Sequence, residues 1–108
     1  MILVDTADYT VNLATHDFLD DVPAAARVAI VALTGESVTG RVFDASDATF
    51  VAVTGDVSEA LVIYKHTGTE STSRLIAYID TATNLPVTPN GGDITVSWDN
   101  GANKIFRL

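Results

Sequence analysis

The sequence predicts an all-β protein: a single antiparallel β-sandwich or barrel-like domain with one short helical turn. Valine, threonine and isoleucine recur along the whole chain, and these residue types suit a pleated, half-buried surface. The apolar runs are short and are punctuated by Gly, Asn, Asp and Thr-Gly steps, which supply turns. Successive runs follow one another at roughly 8–12 residues, the rhythm of a sandwich or barrel. With 108 residues, 47% hydrophobic and 19% charged, the chain has the size and apolar content of one domain, residues 1–108, with one modest core.

The candidate strands, in order, are Ile2–Val4, Tyr9–Ala14, Arg27–Leu33, Ser37–Phe43, Thr49–Val53, Ala60–His66, Leu75–Asp80, Ile94–Asp99 and Lys104–Leu108. Asp17–Val22 is acidic and does not alternate, so it is expected to form the one helical turn, capped by Thr15 or Asp17. Residues 23–36 admit two readings. Pro23 before Ala24–Ala26 resembles a helix start, whereas Val28–Leu33 is rich in β-branched residues; the reading leans to a strand because Thr34-Gly35 and Thr39-Gly40 look like turn punctuation around a β run.

Ala60–Tyr64 and Leu75–Ile79 are apolar at every position, as in strands covered on both sides, and are expected to pair as the core hairpin. The polar stretch His66–Arg74 between them reads as an exposed connection. Ile94–Asp99 alternates strictly, with Ile94, Val96 and Trp98 on one face and Thr95, Ser97 and Asp99 on the other. Asn100-Gly101 then carries the strongest short hairpin signal in the chain. It predicts that Ile94–Trp98 pairs with Lys104–Leu108, and that the closing residues, with Phe106 and Leu108 on one face, belong to the core.

Composition excludes several functions. Fourteen acids against six bases, net charge −8, repel a phosphate backbone, so nucleic acid is not an expected partner. The acids are scattered through turns, which reads as solubility and control of self-association. No cysteine is present, which removes disulfides, thiolate nucleophiles and cysteine-held metals. No apolar run has membrane-spanning length, and Met1–Asp5 has no basic leader, so no membrane contact and synthesis in a cytoplasm are expected.

No motif points to catalysis, and no enzyme activity and no cofactor are expected. His16 and His66 have no histidine or acid at metal-binding spacing and read as surface or turn residues. Asp17, Asp20 and Asp21 do not have the spacing of a calcium loop and read as acids at a helix start. Asp44 and Asp47 read as an Asx-type turn between strands. Ser37, Ser46, Ser58, Ser71, Ser73 and Ser97 lie outside any Gly-x-Ser-x-Gly elbow. Tyr64, Tyr78, Trp98 and Phe106 are read first as core aromatics rather than as a ligand cleft.

The segments "FDASDATF" (Phe43 to Phe50), "ALVIYKHTGTESTSRLIAYID" (Ala60 to Asp80), "NGGDITVSWDNG" (Asn90 to Gly101) and "IFRL" (Ile105 to Leu108), with "ATHDFLDDV" (Ala14 to Val22) before them, resemble a group of small virion structural proteins of tailed bacteriophages. Between Val22 and Thr34 the chain is shorter than the longer members of that group. The resemblance implies a phage structural protein, first of all a capsid decoration (cement) protein on the head shell, made in the host cytoplasm and located in the virion. A neck, tail or tail-tip component is the alternative, and a carbohydrate-binding sandwich using Tyr64, Tyr78 or Trp98 is a further one. The expected partners are other virion proteins, the major capsid protein or neck and tail proteins, with homo-oligomer formation also expected. Arg74, Trp98, Phe106 and Arg107 are the candidate protein-contact residues, because aromatic and arginine side chains anchor interfaces.

Overall fold

The computed structural model describes residues 1–108 and is all-β, with nine short strands in three antiparallel sheets. The strands are β1 (Ile2–Val4), β2 (Arg27–Ile30), β3 (Ser37–Thr39), β4 (Val42–Asp44), β5 (Ala48–Phe50), β6 (Ala60–Tyr64), β7 (Leu75–Ile79), β8 (Ile94–Val96) and β9 (Phe106–Arg107). The principal sheet has the order β2-β1-β6-β7, a second β3-β4-β9, and β5 pairs with β8. The four-stranded sheet is open, ending at β2 on one side and β7 on the other.

The core follows from the position of β1 and β6 in the middle of that sheet. Ile2, Val4, Ala60 and Val62 point to one face and are buried with Tyr9, Leu19, Val22 and Ala26 from the long connection between β1 and β2. Met1, Leu3, Leu61 and Ile63 point to the other face, where Ala48, Phe50 and Val53 cover them. Ile94, Val96 and Trp98 pack against this second cluster, while Thr95 and Ser97 are exposed, as strict alternation requires. Every side chain of β1 is buried, and so are all of β6 up to Ile63. Each buried aliphatic side chain contributes about 1.5–3 kcal/mol relative to exposure.

The expected core hairpin is present: Leu61 pairs with Ile79, Val62 with Tyr78, Ile63 with Ala77 and Tyr64 with Leu75. Only β6 is central, however. β7 is an outer strand, its residues half-buried and Ile76 exposed. Apolarity at every position of β7 therefore reflects one covered face and an outward side chain, not two covered faces.

Four expectations are corrected. Tyr9–Ala14 forms no strand: Tyr9–Asn12 is irregular and a turn begins at Leu13, because the chain must cross the face of β1 and β6 to bury Tyr9, and Thr15 and His16 donate back to the Asn12 carbonyl. Ser37–Phe43 is the hairpin β3–β4, reversed at Gly40 (φ 56°) and Arg41 (φ 67°). Two successive positive φ values match the right-handed twist of the flanking strands, but arginine rarely adopts that conformation. Three short 3₁₀ turns occur, Leu19–Asp21, Ala24–Ala26 and Glu70–Thr72, where one helical turn was expected. Pro23 opens the second, and the chain then enters β2, which ends at Ile30 rather than Leu33.

The fourth correction concerns the closing segment. β8 pairs with β5 (Ile94 with Phe50, Val96 with Ala48), and β9 pairs with β4 (Phe106 with Phe43, Arg107 with Val42). Asn100-Gly101 thus joins two sheets instead of turning a hairpin. Phe106 stacks on Phe43 with centroids 5.1 Å apart, and Ile105 packs on the second core cluster. Leu108, expected in the core, is 82% exposed. A local turn preference yields to an aromatic pair worth about 0.5–1.5 kcal/mol beyond its burial and to a half-buried isoleucine.

Phe50, 1% exposed, pairs with Ile94 of β8 and is buried with Leu3, Leu61 and Ile63, which makes it the anchor between two sheets. Phe50→Ala is expected to cost about 3–5 kcal/mol in urea unfolding, against less than about 0.5 kcal/mol for Val38→Ala at the surface. Equal losses at both positions would show that the β5–β8 pair does not cover the principal sheet.

Candidate functional site

A β-bulge places the one deeply engaged cation. Leu3 pairs with Ala29 but Val4 pairs with Arg27, so Val28 is the extra residue. Without it, alternation would direct Arg27 to the face of Leu3; with it, Arg27 shares the face of Val4 and reaches the 3₁₀ turn at Leu19–Asp21. Its Nη2 donates to the carbonyls of Leu19 (2.9 Å) and Val22 (2.7 Å), and Nε donates to Val22 (3.0 Å). Nη1 and Nη2 also donate to the Glu70 carboxylate at 2.6 and 3.1 Å. The Arg27 side chain is 12% exposed and Glu70 55%, so the carbonyl bonds, rather than the ion pair, hold most of the energy.

The same region contains the acids read from the sequence. Neither Thr15 nor Asp17 caps the turn at Leu19–Asp21. Asp21 reaches back instead, its Oδ2 accepting from the backbone N–H of Asp17 (2.8 Å) and Phe18 (3.0 Å). The bonds from Phe18 and then Asp17 hold the Asp21 carboxyl below the usual carboxylate range. The bond from Arg27 does the same for Glu70. The connection after β6, read as simply exposed, is organised by hydroxyls: buried Ser73 donates Oγ to the Thr69 carbonyl at 2.9 Å and accepts from Thr67 N–H at 3.2 Å. Buried Ser58 donates to the carbonyls of Val4 and Ala60. Both serines are structural.

His16 lies beside Tyr9, Nδ1 to Oη 3.0 Å, with the rings stacked at 5.4 Å, and Nδ1 accepts from Asn12 N–H. Tyr9 in turn meets Tyr78 edge-on. Burial, followed by the nearby Asp21 and Tyr78, raises the Tyr9 phenol above its ordinary value. Asp47 does not close a local Asx turn: its Oδ1 accepts from Trp98 N–H at 2.9 Å, which ties the approach to β5 to the end of β8. Only Asp44 bonds locally, to Ala45 N–H, and Lys104 stands 4.0 Å from it. The indole N–H of Trp98 is buried without a partner.

One constellation has no sequence signature. Asp5, Asp8 and Asp56 bring carboxylate oxygens within 4.8 Å of one another; Asp5 is buried and its Oδ1 accepts from Ala7 N–H. Asp56 is far from the other two in sequence, so only folding reveals the group. Hard cations such as calcium take six to eight oxygens, and three aspartates supply part of such a shell.

The four candidate contact residues are dispersed. Arg74, exposed just before β7, has its guanidinium carbon 4.8 Å from the centre of the Phe18 ring. Trp98 is half-buried on the second core cluster, Phe106 is half-buried against Phe43, and Arg107 is exposed on β9. Sequence reading missed the more coherent surface around β7. A groove of about 590 Å³ is lined by Met1, Ile30, Leu33, Phe43, Ile63 and Ile76 among others, with Glu36, Lys65 and His66 also on it. A second, of about 210 Å³, is lined by Val11, Leu13, Leu75, Ile76 and Tyr78 with His16. Ile76 belongs to both. Exposed Leu13 and Ile30 flank it. No helix is long and apolar enough to cross a membrane. No protein-family model matches the chain, and no curated protein matches it either.

The clamp, its carboxylates and Trp98 each give an expected outcome. Arg27→Leu, which removes the guanidinium donors from the Val22 carbonyl and leaves the Leu19 carbonyl only its bond from Val22 N–H, is expected to lose about 2–4 kcal/mol in urea unfolding. Because the Asp21 and Glu70 carboxyls are lowered on folding, their contribution is complete above the ordinary carboxylate range and disappears as pH falls through the lowered values, below about pH 4. Glu70→Gln and Asp21→Asn should therefore each flatten the loss of urea midpoint between neutral and acid pH; an unchanged profile would remove these bonds from the acid transition. For Trp98, deleting an unpaired buried N–H while keeping an aromatic ring offsets the smaller ring, since such a group costs about 1–3 kcal/mol. Trp98→Phe is thus expected to unfold within about 1 kcal/mol of the parent, whereas Trp98→Ala loses about 3–5 kcal/mol.

Proposed function

We propose that the protein is a structural component of a tailed-phage virion, a decoration (cement) protein that lies on the head shell and ties neighbouring capsid subunits together. The single observation that carries a binding role is the open, apolar flank of the principal sheet. β2 and β7 each lack a strand neighbour on one side, and Ile30, Ile76 and Leu13 project beside them at 57%, 47% and 81% exposure. Unpaired edges and outward aliphatic residues are the surface from which protein–protein contacts are built. The resemblance of "FDASDATF", "ALVIYKHTGTESTSRLIAYID" and "NGGDITVSWDNG" supports the virion as the setting. A net charge of −8 suits a protein kept soluble until it meets its shell.

A glycan platform has less support. Trp98 packs on the opposite face of the principal sheet from Tyr64 and Tyr78, so the three aromatics form no common surface.

Quantitative mass spectrometry of purified particles tests the reading. Copies in the hundreds, scaling with capsid subunits, are the expected result. About a dozen copies or fewer, the stoichiometry of a ring at a neck or tail, would overturn the shell assignment in favour of the neck or tail. A particle without the protein would overturn the virion reading altogether.

A further inference from the structure

We propose that the outer edge of β7 is a strand-addition site that accepts an extended segment of a partner protein, with aliphatic residues at alternate positions and acidic residues at one end. The inference rests on the binding role proposed above and assigns it a place and a partner chemistry.

The backbone carries the first part. Residues 17–18 already lie along the outer side of the chain that enters β7: Leu75 N–H donates to the Asp17 carbonyl at 2.8 Å, Leu19 N–H donates to the Ser73 carbonyl at 2.9 Å, and Phe18 bridges to Arg74. The covering segment then departs into the 3₁₀ turn at Leu19–Asp21. Beyond Leu75, none of the backbone hydrogen bonds outside the sheet reaches Ile76–Ile79, and β7 has no second strand. Its outward N–H and C=O groups continue a ladder that residues 17–18 begin. An incoming strand would take up that ladder where they leave it.

The side chains carry the second part. Leu75–Ile79 contains no charge and no proline, the devices that normally protect an edge. Its one irregularity is the bulge at Ile76, the extra residue between the pairs Ile63–Ala77 and Tyr64–Leu75. A bulge re-aims a side chain, and here Ile76 stands 47% exposed as the wall shared by the two apolar grooves. Alternate residues of an added strand project to opposite faces of the sheet, so each groove takes side chains of one parity.

Charge selects the partner. Lys65 and Arg74 face each other at the loop end of the β6–β7 hairpin, where Lys65 N–H donates to the Arg74 carbonyl at 2.9 Å. Neither has a carboxylate within ion-pair distance; the ion pairs of the chain are Arg27–Glu70 and Lys104–Asp44. Two cations without a carboxylate partner at this end, Arg74 also lying over the Phe18 ring, in a chain of net charge −8, favour acidic residues at the matching end of the added strand and disfavour a basic one.

The test uses the full chain and two synthetic ten-residue peptides that alternate valine with threonine. One carries two glutamates at one end and the other two lysines in their place. Amide hydrogen exchange resolved by residue is the readout. The glutamate peptide is expected to slow exchange at Ile76–Ile79 and to bind roughly tenfold more tightly than the lysine peptide, a preference inverted by Lys65→Glu with Arg74→Glu. Ile76→Asp should abolish binding while leaving the exchange of β1 and β6 intact. Equal binding of both peptides, protection at β2 instead of β7, or protection of β7 by self-association without peptide would overturn the assignment. A chain abundant on particles whose β7 ignores the peptide would overturn the site alone; a chain absent from particles whose β7 takes the glutamate peptide would support the site and overturn only the virion reading.

Discussion

The structure depends on the burial of two adjacent strands, β1 and β6, on both of their faces. Ile2 and Val62 contribute to one cluster, while Leu3 and Leu61 contribute to the other. Neither face can be left to water, because each would expose a row of large aliphatic side chains at about 1.5–3 kcal/mol apiece. Two layers must therefore be found from the rest of a short chain. One is the irregular connection through Tyr9, Leu19, Val22 and Ala26, and the other is the small β5–β8 sheet, whose Phe50 is buried against the principal sheet. The absence of long helices follows from this, since the segment that covers the first face does so with turns and 3₁₀ pieces only three residues long.

A covering layer without its own sheet must be fastened, and Arg27 does this. Three backbone carbonyl bonds from one guanidinium satisfy the end of a turn that has no helix to continue into. The bulge in β2 is what makes the arrangement possible, because a regular ladder would direct the same side chain to the wrong face. Around this clamp the carboxylates of Asp21 and Glu70 accept bonds that a hydrated unfolded chain would replace with water. Arg27 spans the long connection, the principal sheet and the turn at Glu70–Thr72, which makes it the point where local electrostatics and overall packing meet.

The same solution leaves one flank of the sheet unfinished. Covering both faces of β1 and β6 does not cover the edge of β7, and the chain continues from Asp80 into the loop that leads to β8. The bulge at Ile76 and the unpaired cations Lys65 and Arg74 lie on this flank. Of the contact residues read from the sequence, Arg74 alone lies there. Trp98 and Phe106 serve mainly to join sheets. Aromatic residues in alternating strands look alike in sequence whether they anchor a partner or a neighbouring sheet, so the edge could be recognised only once strand order was known.

By itself the sequence determined the all-β class, the pairing of Ala60–Tyr64 with Leu75–Ile79 and the alternation of Ile94–Trp98. These depend on side-chain type and on partners close in sequence, where few alternatives compete. Tertiary structure decided the partners of the last two strands, the choice of a strand after Pro23, the reversal at Gly40-Arg41, the irregular path of Tyr9–Ala14 and the gathering of Asp5, Asp8 and Asp56. The Asn100-Gly101 step shows the reason. Its local preference favours a hairpin, while pairing β9 with β4 places Phe106 on Phe43 and Ile105 on the core. Burial of distant surfaces outweighs turn chemistry, and no short window of sequence records which distant surface is left to bury.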